Sequence, residues 1–167
     1  MFSIRKATLE DIPAIQQLAR TIWQQTYTAI ISQAQLDYML DLFYSTELLQ
    51  QLISQDTQSF FIALAEDTPI GYASYSIVSP QEIDTYKLHK LYVLTEKQHK
   101  GTGSALLQQV IDSAKEQKAK TLILNVNRQN TAIDFYKKKG FSILQTVDNE
   151  IGNGYYMNDY VMGLEMV

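Results

Sequence analysis

The chain of 167 residues contains no cysteine. That removes a disulfide framework, a thiolate nucleophile and every cysteine-ligated metal from consideration. Histidine is nearly as scarce, with only His89 and His99, so a zinc site lacks its ligands and no metal is expected. No apolar run reaches the length that spans a bilayer. The first residues, Met1-Phe2-Ser3-Ile4-Arg5-Lys6, lack the apolar core of a secretory signal. Neither membrane attachment nor export is therefore expected, and the cytoplasm is the default compartment. Positive charge is also short: 14 Lys and Arg against 18 Asp and Glu leave a net charge of −4. No basic patch dominates, so no nucleic-acid partner is expected. Repeats, low-complexity tracts and linkers are missing too, which leaves one domain over residues 1–167, long enough to bury a core.

Two nucleotide-binding fingerprints are absent as well. Leu106 stands where the third glycine of G-x-G-x-x-G would be, and no G-x-x-x-x-G-K-[ST] run occurs. What is present is the stretch Leu88–Ser104, LHKLYVLTEKQHKGTGS. It opens as an apolar strand, passes through a polar loop from Thr95 to Lys100, and reaches Gly101-Thr102-Gly103, where an amphipathic helix begins. The first N–H groups of a helix have no internal partner and carry the positive end of its dipole, so this junction suits an anion. Lysines and one arginine cluster between Lys87 and Lys139. They read either as a solvated helix face or as positive density around that loop for a polyphosphate-bearing small ligand.

The remaining pattern is mixed α and β. Ile4–Ala7 reads as a strand. Thr8 and Asp11 form a carboxylate variant of the capping box before a helix from Leu9 to about Gln25. Ser32 caps a second helix, and Ser45 or Thr46 a third. The aromatic residues Tyr27, Tyr38, Phe43 and Tyr44 suit core packing or the wall of a cleft. Ser59–Ala65 and Ile70–Val78 read as a hairpin, followed by the Leu88–Leu94 strand. The helix from Gly103 to about Lys118 and the apolar run Thr121–Val126 complete a βαβ unit, whose two strands should be parallel. Asn130 caps a short helix through Lys139. Strands over Phe141–Thr146 and Tyr155–Met166 flank a turn at Ile151–Gly154. The class is α/β with a mixed sheet.

This order of elements, with the anion loop after the fourth strand, resembles the GNAT N-acetyltransferase superfamily. The motifs agree. The family loop [QR]-x-x-G-x-[GA] is matched by Gln98-His99-Lys100-Gly101-Thr102-Gly103. The later family motif N-x-x-A-x-x-[FL]-Y-x-x-x-G-F is similar to Asn130, Ala132, Phe135, Tyr136, Gly140 and Phe141, with Asn130 two residues before Ala132. The C-terminal Ile151–Met162 and the early Thr21–Tyr27 look like the PaiA-like branch, which includes spermidine/spermine acetyltransferases. The resemblance implies the GNAT acyl-CoA N-acyltransferase fold, with a central six- to seven-stranded mixed sheet flanked by helices. It also implies transfer from acetyl-CoA to a primary amine of a small molecule, a polyamine among the candidates, by direct attack in a ternary complex.

Site residues follow from the same resemblance. Main-chain groups of Leu91, Tyr92 and Val93 would pair with the pantetheine arm. The N–H groups of Gln98, His99, Lys100, Gly101, Thr102, Gly103 and Ser104 would hold the pyrophosphate, with side-chain contacts from Gln98 and Lys100. An N–H near Val93 would stabilise the oxyanion, Asn130 would orient the pantetheine or thiol, and Tyr136 would be the general acid. His89, placed by strand alternation on the face of Leu91 and Val93, is a candidate proton relay, with Glu82 and Asp84 as alternatives. Asp148, Glu150 and Asp159 near the last hairpin would attract a cationic amine. Aromatic residues in that hairpin suit either core packing or a homodimer. A protein or peptide N-acetyltransferase and a non-catalytic acetyl-CoA-binding regulatory module stay open beside the small-molecule enzyme.

Overall fold

The computed structural model describes residues 1–96 and 100–166. Strand β1, Ser3–Lys6, leads into a single 3₁₀ turn, Leu9–Asp11. There the Thr8 N–H donates to Asp11 Oδ2 at 2.7 Å, and the Arg5 guanidinium grips the same carboxylate at 2.8 and 2.9 Å. That grip holds the Asp11 carboxyl below its usual range. Helix α1 therefore starts at Ile12 rather than Leu9, with Pro13 in its first turn, and runs to Tyr27. Helix α2 spans Gln33–Tyr44, its start closed by Ser32 Oγ accepting from the Gln35 N–H at 3.1 Å. Helix α3 spans Thr46–Ser54 and is capped by Ser45, whose Oγ accepts from the Leu48 N–H at 3.2 Å. Among the described residues no helix is long and apolar enough to cross a membrane.

The remaining elements are β2 (Ser59–Ala65), β3 (Thr68–Ile77), β4 (Thr85–Val93), α4 (Thr102–Glu116), β5 (Thr121–Asn127), α5 (Ala132–Lys138), β6 (Ser142–Gly152) and β7 (Tyr155–Glu165). They form a seven-stranded sheet in the order β1-β2-β3-β4-β5-β7-β6. Only the β4–β5 pair is parallel; the other neighbours are antiparallel. Strand β6 runs six residues beyond its expected end at Thr146, because its pairing with β7 continues to the turn. No apolar alternation marks that extension, and most of its side chains are exposed. Asn130 sits one residue before the α5 N-cap, Thr131, yet its Oδ1 still accepts from the Ala132 N–H at 2.9 Å.

Both faces of the sheet are covered. On one, Leu106, Leu107 and Val110 of α4 and Tyr136 of α5 pack on Ala73, Tyr75, Leu88 and Leu124. On the other, α1, α2 and α3 bring Ile15, Trp23, Leu36 and Leu49 onto Phe60, Ile62 and Tyr72. Truncating a fully buried side chain such as Ile62 to Ala removes about 2–5 kcal/mol.

Candidate active site

The sheet is held apart at its centre. Strands β4 and β5 pair only from Thr85–Thr121 to Leu88–Leu124. Beyond that point β4 stays with β3 as far as Val93, while β5 stays with β7 as far as Asn127. The inner edges of both strands then face a gap instead of each other, and main-chain groups left there need partners from elsewhere. The divergence begins at a bulge. Ser74 pairs with Lys90 and Tyr75 with Leu88, which leaves His89 as an extra residue in β4. A bulge bends its strand and sharpens the local twist.

The bulge also breaks the alternation of side chains. Tyr86 and Leu88 lie in the core beneath α4, and so do Leu91 and Val93. His89 does not share the face of Leu91 and Val93. Its Nε2 lies 2.7 Å from Ser76 Oγ on β3, and it lines the cavity under α1 to α3 together with Lys87, Lys90 and Tyr92. Period-two counting failed because it ran through the extra residue.

A cleft of about 360 Å³ fills the gap. It brings together Leu91, Tyr92, Val93, Asn130, Tyr136 and His89. The start of α4 closes the same end, since a Cβ built on Gly103 would lie 3.9 Å from both Val93 Cγ2 and Phe135 Cζ. Gly101 precedes that helix at φ +85°, a left-handed conformation in which a side chain is strained, and a Cβ there would meet nothing within 4 Å among the described residues. Lys100 and Gly101 are exposed, Ser104 is half-buried and Thr102 is buried. Gln98 and His99 lie outside the described residues.

Burial raises the Tyr136 phenol above its ordinary value, and the neighbouring Tyr27 adds to the effect. Among the described residues its hydroxyl makes no hydrogen bond, and the residue lines the cleft. Tyr27 links the cleft to the helices: its hydroxyl accepts from Asn130 Nδ2 at 3.5 Å and lies 3.1 Å from the Tyr92 hydroxyl.

A second cavity, about 430 Å³, lies between the sheet and α1 to α3 and is closed on one side by β6 and β7. It shares Tyr27, Leu88, His89, Lys90, Tyr92 and Asn125 with the cleft, so the two spaces meet at the bulge. Gln35 Nε2 donates to the Tyr156 carbonyl and the Tyr38 hydroxyl to the Ile151 carbonyl, both at 2.8 Å, tying α2 to the β6–β7 hairpin.

Lys87 and Lys90 sit elsewhere than expected, and the acidic candidates differ in their surroundings. Lys87 and Lys90 line the second cavity, on the far side of the sheet from α4, and so do not supply positive density to the loop. Asp148 is held by Arg128 at 2.7 Å. Glu82 and Asp84 stand before the start of β4, where Asp84 faces Lys120 at 3.7 Å, and neither lines the cleft or the cavity. Asp159 does line the cavity, with Oδ2 buried and unpartnered among the described residues. Burial raises its carboxyl, against the pull of Asn125, Lys87 and Arg128. Burial also lowers Lys90 from 10.5 to about 8, helped by Lys87. It lowers His89 from 6.5 to about 3, with Lys90 and Lys87 contributing. Asn125, Asn127 and Gln58 carried no signal in the sequence, and Lys87 and Lys90 only that of the basic cluster, because they belong to strands and a loop that only the fold sets side by side.

Comparison with known proteins agrees with this geometry. A profile of the acetyltransferase (GNAT) domain matches residues 27–163. The spermidine N(1)-acetyltransferase of Thermoplasma acidophilum is 31% identical over 151 residues, covering 86% of this chain and 89% of that protein. The uncharacterized N-acetyltransferase YuaI of Bacillus subtilis is 32% identical over 139 residues, covering 82% of this chain and 78% of that one. Among solved structures, the PaiA N-acetyltransferase of T. acidophilum in complex with coenzyme A matches with a TM-score of 0.83 and 29% identity, over 99% of each chain. The profile spans most of the chain and the relative from T. acidophilum matches over 86% of it at 31% identity, so this chain belongs to the GNAT family of N-acetyltransferases.

Proposed function

We propose that this acetyltransferase moves the acetyl group onto the primary amine of a small molecule, by direct attack with both substrates bound. The donor is acetyl-CoA, which supplies an acetyl group activated as a thioester. The residues present fit it. The unpaired β4 edge at Leu91, Tyr92 and Val93 would hold the pantetheine arm through main-chain groups. The α4 start, Lys100 to Ser104, would hold the pyrophosphate on helix N–H groups, with no side chain on Gly101 to stand in the way. The observation that carries the reading is that the cleft holding Tyr136 and Asn130 opens into a second cavity large enough for a small acceptor.

In this reading Tyr136, whose phenol carries its proton at neutral pH, protonates the sulfur as the carbon–sulfur bond breaks, and the proton shed by the attacking nitrogen passes to water. The Val93 N–H would stabilise the developing oxyanion, and Asn130, fixed by the Ala132 N–H and Tyr27, would orient the thioester. His89 is neutral at pH 7 but, with a value of about 3, accepts protons poorly. The attacking amine would therefore rely on its free-base fraction in water rather than on a strong relay. Replacing Tyr136 by Phe should lower kcat about 10²–10⁴-fold and leave the acetyl-CoA Kd nearly unchanged. Equal turnover would remove Tyr136 as the acid.

The relative from T. acidophilum is named for spermidine, so a polyamine is the first acceptor to assay here, and Asp159 offers the cavity one carboxylate for an ammonium. Transfer to peptides in place of small amines would move the reading to a protein acetyltransferase. The reading places the enzyme in the cytoplasm, with its acetyl donor.

A further inference from the structure

The second cavity holds charge at both ends. Lys90 leaves β4 on the side of β2, and its Nζ lies 5.4 Å from the Tyr44 ring centre and 5.5 Å from that of Phe60. Ring faces attract a cation, but they do not neutralise it. Among the described residues Lys90 makes no hydrogen bond or ion pair. Gln58, whose Oε1 accepts from Ser74 Oγ at 3.1 Å, lines the same end. On the other side of β4, beyond β5, the Asp159 carboxylate faces the cavity with Oδ2 unpartnered. Lys87 acts on Asp159 electrostatically, but no ion pair within 4.0 Å joins them. The neutral His89 lies between. Two ammonium groups and one carboxylate thus line one cavity, with the positive charge in excess.

A polyamine would meet Asp159 at one end and set its other charges against Lys90 and Lys87. A molecule with an amine at one end and a carboxylate at the other would meet a complement at both. We infer that the acceptor is a primary amine that also carries a carboxylate, with the carboxylate on the Lys90 ammonium and the amine on the Asp159 side, beside Asn125, which lines both the cavity and the cleft. This rests on the small-amine reading above and names its substrate class. Lys90 is on β4 and Asp159 on β7, with β5 between them, about 10 Å at two strand spacings, so several bonds must separate the two groups. An amine at the end of a side chain or an ω-amino acid satisfies that; the α-amine of glycine does not. Lys90 is then the residue that determines specificity.

The test compares acceptors of equal chain length at saturating acetyl-CoA: γ-aminobutyrate with putrescine, and δ-aminovalerate and free lysine with cadaverine and spermidine. The amino carboxylates should show kcat/KM about tenfold or more above the diamines. Lys90→Met should raise their KM about tenfold with little change in kcat, while the diamine KM stays level or falls. Lys90→Arg should keep the preference, which separates loss of charge from loss of folding. Stabilisation of the enzyme–CoA complex by δ-aminovalerate, read as a melting shift, should vanish in Lys90→Met and persist in Lys90→Arg. Faster transfer to spermidine or the diamines, or an unchanged acceptor ratio in Lys90→Met, would overturn the inference and leave the small-amine reading standing. Transfer to neither set, with acetyl-CoA still bound, would remove both.

Discussion

At the scale of single residues, His89 has the largest consequence outside the chemistry. Burial, Lys90 and Lys87 lower its imidazole from 6.5 to about 3. Between those values the unfolded chain takes up a proton that the folded one refuses, so stability falls as the pH drops through this window. At pH 5 the loss from this group is about 2 kcal/mol. Asp159, whose carboxyl is raised by burial, acts in the opposite sense. Urea unfolding of a His89→Gln variant at pH 7 and pH 5 should show a smaller acid loss than the parent chain. An identical loss would assign it to other groups. The residue type was plain in the sequence, but its environment was not. Whether an imidazole titrates near 6.5 or near 3 depends on which strands bury it and which lysines they bring alongside.

At the scale of elements, β4 decides the site. It pairs with β3 along its whole length and with β5 along only part. Gly71 keeps the open end close to β3: a Cβ there would lie 2.9 Å from the Tyr92 carbonyl oxygen and 3.0 Å from Val93 Cγ2. Gly71→Ala must push the end of β4 outward, lowering stability by about 1–3 kcal/mol and weakening acetyl-CoA binding. Urea unfolding and an acetyl-CoA titration check this, and unchanged values in both would refute it. The strands, the βαβ unit and the caps at Ser32 and Ser45 were legible because each rests on local chemistry: alternation, helical spacing and a hydroxyl facing a free N–H. The bulge was not legible. An extra residue in one strand exists only relative to its partner, and nothing in His89-Lys90-Leu91 announces it.

At the scale of the whole molecule, the sheet separates two spaces. In the proposed reading its splayed centre and α4 would face the donor, while the cavity lined by α1 to α3 and the β6–β7 hairpin would take the acceptor. Acetyl-CoA should therefore stabilise the entire fold. At 100 times its Kd the gain is about 2.7 kcal/mol, a melting shift of about 5–10 °C for a chain of this size. ATP and NAD should give little. No shift at millimolar acetyl-CoA would refute the assignment of the α4 start to the pyrophosphate. The sequence by itself determined the class of sheet, the glycines at the start of α4 and the Asn130 and Tyr136 motif, because those depend on neighbours a few residues away. Only the tertiary structure decided that Lys87 and Lys90 line the second cavity and that Asp148 is bound to Arg128 while Asp159 Oδ2 is left without a partner among the described residues. Charges on strands far apart in the chain become one electrostatic site only when the sheet order and a single bulge set their faces.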